Sequence, residues 1–176
     1  MTTKTDYTDD EWGLIVAAPG IAGLAVVASD SHMAGTSSEF DALVHATKDL
    51  PIPEDAEDLV LAVRAEIREE DAAAAADIEY MGDSGADADA EAELLDDPVE
   101  RAAQQLGRVA AILDERADSE EAAAFKVWLL QIADAVANAS TEGFLGIGPP
   151  QVSGKESAAL SRIAEALGAD APDDAW

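Results

Sequence analysis

The sequence predicts an all-α fold: an antiparallel bundle of six or seven helices with no sheet. Apolar residues recur every three or four positions through most of the chain, which marks one face of a helix. No segment sustains the period-two alternation with β-branched residues that a half-buried strand needs. The apolar residues are mainly Ala, Leu, Val and Ile, with 39 alanines and only eight aromatic side chains, a composition suited to close helix packing.

Residues 1–8 carry no apolar period and are expected to fray. Asp9 or Asp10 can cap a helix entered at Trp12, and the acids at 9–11 suit the positive end of its dipole. Trp12 to Ala28 reads WGLIVAAPGIAGLAVVA, seventeen uncharged residues. Pro19 lacks an N–H, so the run reads as a buried helix pair or one kinked helix. Residues 29–35 form a loop. Thr36-Ser37-Ser38-Glu39 is a capping box, Thr as N-cap and Glu at N3. It opens a helix to about Leu50 whose expected inner face is Phe40, Leu43, Val44 and Thr47. Pro51-Ile52-Pro53 stops it. Acids 54–58 open a third helix with Leu59/Val60, Val63 and Ile67 inward, which can continue through alanines 72–76.

Residues 81–92 (MGDSGADADAEA) have no apolar period and are expected to form a flexible acidic connection over 81–95. Asp97-Pro98 is a helix start with Pro at N1. Its stripe is Val99, Ala102, Leu106, Val109/Ala110 and Leu113. Asp118 to Glu121 caps the next helix, with Phe125, Trp128/Leu129, Ile132 and Val136 inward to about Ala139. Residues 140–152 form a loop rich in Gly and Pro. Ser153-Gly154-Lys155-Glu156 is a second capping box. Leu160, Ile163 and Leu167 give the last stripe, and Gly168 fits a left-handed stop. The expected organisation is helices over 9–80, the connection 81–95, helices over 96–168 on the same core, and a tail over 169–176.

Charge bounds the function. The chain has 38 acidic against 10 basic side chains, a net charge of −28. Nucleic acid needs a basic patch for its phosphates, and anionic membrane surfaces need the same, so both are excluded as expected partners. At an apolar fraction of 48%, wholesale disorder is not expected. Without cysteine there is no disulfide or thiolate metal site. A carboxylate-rich, Lys-poor, Ala-rich surface is the pattern of proteins from salt-accumulating cells, where screening removes self-repulsion. The expected setting is the cytoplasm of a halophile. No membrane insertion is expected. The apolar run 12–28 is at the lower limit for spanning, and Thr8-Asp9-Asp10-Glu11 has the wrong sign for a signal peptide.

Two regions resemble each other. Ala25 to Asp30, a short loop and Thr36 to Leu43 parallel Ala133 to Ser140, a longer loop and Ser153 to Leu160. Each is an apolar helix end, a polar loop and S/T-x-x-E-x-x-A-L. At these residues the chain resembles the tellurite-resistance TerB-like helical family. Val27-Ala28-Ser29-Asp30 with Glu39 matches the first part of that family's signature. Glu156 with Ala159-Leu160, Ile163-Ala164 and Leu167-Gly168 matches the second. Gly is missing after Asp30, and Thr141-Glu142-Gly143 stands where the family has Asp-Gly. The resemblance implies an all-helical stress protein that binds a divalent cation through loop carboxylates drawn from Asp30, Glu39, Glu142 and Glu156, with Asp30, Glu39 and Glu156 as the candidate ligands. Read from the residues alone, both capping-box glutamates simply close helix starts.

Other chemistry finds little support. His32 and His45 are thirteen residues apart and lack the H-E-x-x-H spacing. There is no G-x-S-x-G elbow, and the glycines at 143, 146 and 148 lack the Lys-Ser/Thr of a phosphate loop. Phe144, Leu145 and Ile147 between those glycines read instead as an apolar interaction surface. The expectation is a protein without enzymatic activity or cofactor, acting by association with a protein partner or as a homo-oligomer. The alternative is the cation-responsive protein implied by the resemblance.

Overall fold

The computed structural model describes residues 2–29, 36–80, 97–142 and 152–169, with side chains at 36–37, 71–80 and 140–142 left undescribed. Among these residues there are six α-helices and no strand: α1 (Asp9–Ser29), α2 (Thr36–Asp49), α3 (Glu57–Tyr80), α4 (Pro98–Arg116), α5 (Ser119–Glu142) and α6 (Gly154–Leu167). Short 3-10 turns at Lys4–Asp6 and Glu54–Ala56 precede α1 and α3.

The two most apolar helices form the centre. α1 packs on α4 and α5 and also meets α2, α3 and α6. α5 packs on α1 and α2 and also meets α3, α4 and α6. α1 is apolar along most of its length and buries Trp12, Ile15, Val16, Ala18, Pro19, Ala22, Gly23, Ala25 and Val26, while Gly13, Ala17, Leu24 and Ala28 remain exposed. A single apolar cluster takes residues from all six helices, with Phe125, Trp128, Leu129 and Ile132 of α5 fully buried. α1 is long and apolar enough to cross a membrane, but half of that stretch lies inside the protein.

Pro19 neither stops nor divides α1, which runs unbroken from Asp9 to Ser29. An interior Pro costs about 3 kcal/mol; burial along both halves of this helix outweighs that.

Residues 2–8 are not frayed. Glu121 of α5, 3% exposed, accepts from the Thr2 backbone N–H at 3.0 and 3.1 Å and from the Thr2 hydroxyl at 2.8 Å. Lys4 Nζ sits 2.9 Å from both oxygens of Glu66 in α3, and the Trp12 indole N–H donates to the same carboxylate at 3.1 Å. The segment is therefore a strap across α3 and α5. Lys4 and Trp12 hold the Glu66 carboxyl below its ordinary value. A depressed carboxylate contributes stability that is complete above its unfolded pKa, about 4.3, and lost as pH falls through the lower folded value. Protection of residues 2–8 against hydrogen exchange, relative to the intrinsic rate at each pH, should hold from neutral pH down to about 5 and fall only below about 4; Glu66→Ala should lower it at neutral pH.

The scarce cations join different elements. Arg116 of α4 binds Glu11 of α1 at 3.1 Å, Lys126 of α5 binds Asp114 of α4 at 2.6 Å, and Arg162 of α6 grips Glu100 of α4 through two bonds of 2.8 Å. Each tie crosses a helix seam.

α2 is rotated relative to the expected register. Leu43, Ala46 and Thr47 are buried, whereas Phe40 and Val44, expected inward, are 45% and 48% exposed. The cause lies on α1: a Cβ at Gly23 would collide with Leu43 Cδ1, so the missing side chain makes the notch that seats Leu43. With Leu43 and Ala46 turned inward, Phe40 and Val44 face outward.

The local signals hold elsewhere. Asp97 accepts from the Val99 N–H at 3.0 Å with Pro98 at the first helical position. Gly168 ends α6 at φ 62°, in the left-handed region. α5 extends past Ala139 to Glu142. The connection 81–95 and residues 170–176 of the tail lie outside the described residues.

Candidate functional site

An apolar groove runs along the seam of α1 and α2, closed on one side by α3. α1 contributes Val16, Ala17 and Gly20, small or flat side chains that leave the seam open. α2 contributes Leu43, Val44, Thr47 and Lys48, and α3 contributes Ile67. The groove has a volume of about 220 Å³. Its few polar groups do little to its character: the Thr47 hydroxyl turns back to donate to the Leu43 carbonyl at 2.9 Å. Lys48 is the one cation among the lining residues, with Asp49 exposed beside it.

The helix pair is antiparallel along this seam. Gly23 meets Leu43, while Val16 and Gly20 share the groove with Thr47 and Lys48. Leu24, one turn beyond Gly20, and Phe40, one turn before Val44, therefore extend the apolar surface at the same end. Both are 45% exposed. Val44 lines the groove and is exposed, and Leu24 and Phe40 stand exposed one helical turn from lining residues; Leu61 and Val127 are exposed elsewhere.

The carboxylates proposed as cation ligands are placed differently from one another. Glu156 is 1% exposed and completes the second capping box: its Oε2 accepts from the Ser153 N–H at 2.6 Å, and the Ser153 hydroxyl accepts from the Glu156 N–H at 3.2 Å. Glu39 is 5% exposed in the first turn of α2. Asp30 lies outside the described residues, as does the side chain of Glu142. Among the described residues no three His, Asp or Glu side chains converge. Truncating the cap, Glu156→Ala, should cost about 1 kcal/mol in chemical unfolding. Glu156→Gln should lose much less, because an amide oxygen can still serve the capping box.

Other candidates lie apart from the groove or outside the described residues. His45 is exposed, its Nδ1 3.1 Å from the Asp41 carbonyl oxygen, and His32 is outside the described residues. So are Phe144, Leu145 and Ile147, expected as an interaction surface. Burial raises the Asp134 carboxyl above its ordinary value, opposed by the Asn138 amide at 3.0 Å. Asp134 and Asn138 are one turn apart on α5, a local pair without a nucleophile.

Sequence reasoning missed the groove. Its signals were the small residues Ala17, Gly20 and Gly23 on α1 and the apolar pair Phe40 and Val44 on α2, both of which read as core. No protein-family model, curated protein or solved structure matches this chain.

Proposed function

We propose that this chain acts by association with another protein and performs no catalysis, in the salt-rich cytoplasm of a halophilic cell. The observation that carries the reading is the apolar groove with Val44 exposed in its lining, and with Leu24 and Phe40 exposed one helical turn from lining residues. Leaving such side chains in water forfeits roughly 25 cal/mol for each Å² that a partner would cover. The setting rests on the excess of 38 acidic over 10 basic side chains, together with the abundance of Ala and scarcity of Lys.

Two measurements test this. Capture from extracts of the source cells in concentrated KCl should retain a partner that Val44→Asp loses; Val44 is exposed, so the variant should keep full helicity. If the native chain retains no partner and sediments as a monomer, the reading fails. Calorimetry with Ca²⁺ addresses the cation-responsive alternative: stoichiometric binding lost in Asp30→Ala would replace association as the function, whereas weak unsaturable binding leaves it standing.

A further inference from the structure

We propose that the groove between α1 and α2 receives the apolar face of a cationic amphipathic helix from another protein, an inference that rests on the association reading above. Shape comes first. From Val16 to Leu24 along α1, and from Phe40 to Lys48 along α2, the apolar seam spans about 12 Å at 1.5 Å per residue. That is a little over two helical turns, the length over which an incoming helix presents anchors at i, i+3, i+4 and i+7.

Charge then selects the occupant. The three helices that wall the groove carry fourteen acidic side chains and three basic ones. Of the three, Arg64 is buried, Lys48 lines the groove and Arg68 is exposed beside Ile67, so the acidic excess lies around the groove and not in its lining. Asp41, Asp49, Glu69 and Glu70 are exposed on these helices, and Asp9 and Asp10 are exposed at the start of α1. A second copy of the chain would bring the same acidic face against itself. An anionic bilayer would be repelled for the same reason. A helix with Lys or Arg flanking an apolar stripe would cover Val44 and its exposed neighbours while its cations reach the exposed carboxylates of α1, α2 and α3. Complementary charge of this kind sets partner choice and encounter rate, while apolar burial supplies affinity. At molar salt the screening length falls to about 3 Å, so contact pairs persist while long-range steering vanishes.

The probe is a labelled Leu/Lys peptide of roughly 18 residues with its leucines at helical spacing. It is compared with a scramble of the same composition and with a version in which every Lys is Glu. Anisotropy is read with the full chain, in the lowest KCl concentration that gives full helicity. The Leu/Lys helix should saturate at one per chain, with the other two peptides at least tenfold weaker. Val44→Asp should weaken it at least tenfold, and Phe40→Glu should do the same. These substitutions add negative charge, so diffuse attraction would strengthen while groove binding weakens: the two explanations differ in sign. Equal binding of the scramble, or tighter binding to Val44→Asp, overturns the proposal. Equal binding of the Glu version overturns the choice of a cationic partner. Self-association abolished by Val44→Asp would make the occupant a second copy. If no peptide binds but Val44→Asp still loses a captured partner, the cationic helix falls and association stands. If Val44→Asp changes neither measurement, both fall.

Discussion

A melting series in KCl should show stability rising steeply from about 10 mM to 0.1 M and continuing to rise to about 1 M. The first rise follows from average charge density. A surface of 11008 Å² shared by 28 net charges leaves one for roughly 390 Å², a mean spacing of about 20 Å. The screening length is about 30 Å at 0.01 M and about 10 Å at 0.1 M, so repulsion between average neighbours fades within that range. Any strongly acidic chain would do this much.

The second rise separates a halophilic surface from a merely acidic one. Glu66, whose charge Lys4 partly offsets, lies three and four residues before Glu69 and Glu70 on α3, and Asp55 and Glu54 of the preceding 3-10 turn stand at the same sequence intervals before Asp58. Such neighbours are about 5–6 Å apart, and each like-charge pair costs about 0.2–0.5 kcal/mol. Screening at that distance requires the 3 Å length of molar salt. Relief of about 1–2 kcal/mol corresponds to a Tm increase of about 5 °C between 0.1 and 1 M for a chain of this size. A plateau reached by about 0.1 M would remove the halophilic assignment. Full helicity with an unchanged Tm at about 10 mM would remove any role for the charge.

How far the sequence speaks depends on whether a feature is settled within one turn of chain or between distant segments. The Asp97-Pro98 start, the Ser153–Glu156 capping box and the Gly168 stop are local hydrogen-bond chemistry, and all three stand as read. The stripes of α4 and α6 are equally legible because each has one apolar face, and the expected inward residues of the central α5 are buried with others around it. α2 is not. Phe40, Leu43, Val44 and Thr47 are compatible with several rotations, and the choice is made by an absent side chain on another helix, Gly23. The strap is missed for the same reason: nothing near Thr2 announces Glu121, 119 residues away. The groove combines both difficulties. Ala17, Gly20 and Val44 are unremarkable in sequence and become a surface only when α1, α2 and α3 come together.

Arg64→Met should destabilise the chain by about 3 kcal/mol. Arg64 is 7% exposed, yet among the described residues no carboxylate bonds to it. Its Nε donates to the Thr47 carbonyl at 2.7 Å and its Nη2 to the Leu50 carbonyl at 2.8 Å. These carbonyls lie at the end of α2, where the helix has no further N–H groups of its own to offer and its dipole is negative. The guanidinium also lies 5.4 Å from the ring centroid of Trp128 in α5. One side chain of α3 thus caps α2 and rests on α5. Burial, with Arg68 second, lowers its pKa from the ordinary value while Asp49 opposes; arginine stays protonated at any working pH. Each charged hydrogen bond is worth about 1.5–3 kcal/mol, and its loss strands a carbonyl in the interior. Methionine keeps most of the apolar stem and removes both bonds, so the cost isolates the fork. A loss of 3 kcal/mol lowers Tm by about 10 °C. Arg64→Lys should fall between, because one ammonium cannot reproduce the planar pair of donors. Among the described residues the Trp128 indole N–H has no hydrogen-bond partner, and the ring meets Arg64 through its face. A double-mutant cycle with Trp128→Leu should give a coupling of about 1 kcal/mol for the cation over the ring. Zero coupling would show that the stacking is incidental, and a cost below about 0.5 kcal/mol for Arg64→Met would show that water caps α2 as well as the guanidinium does.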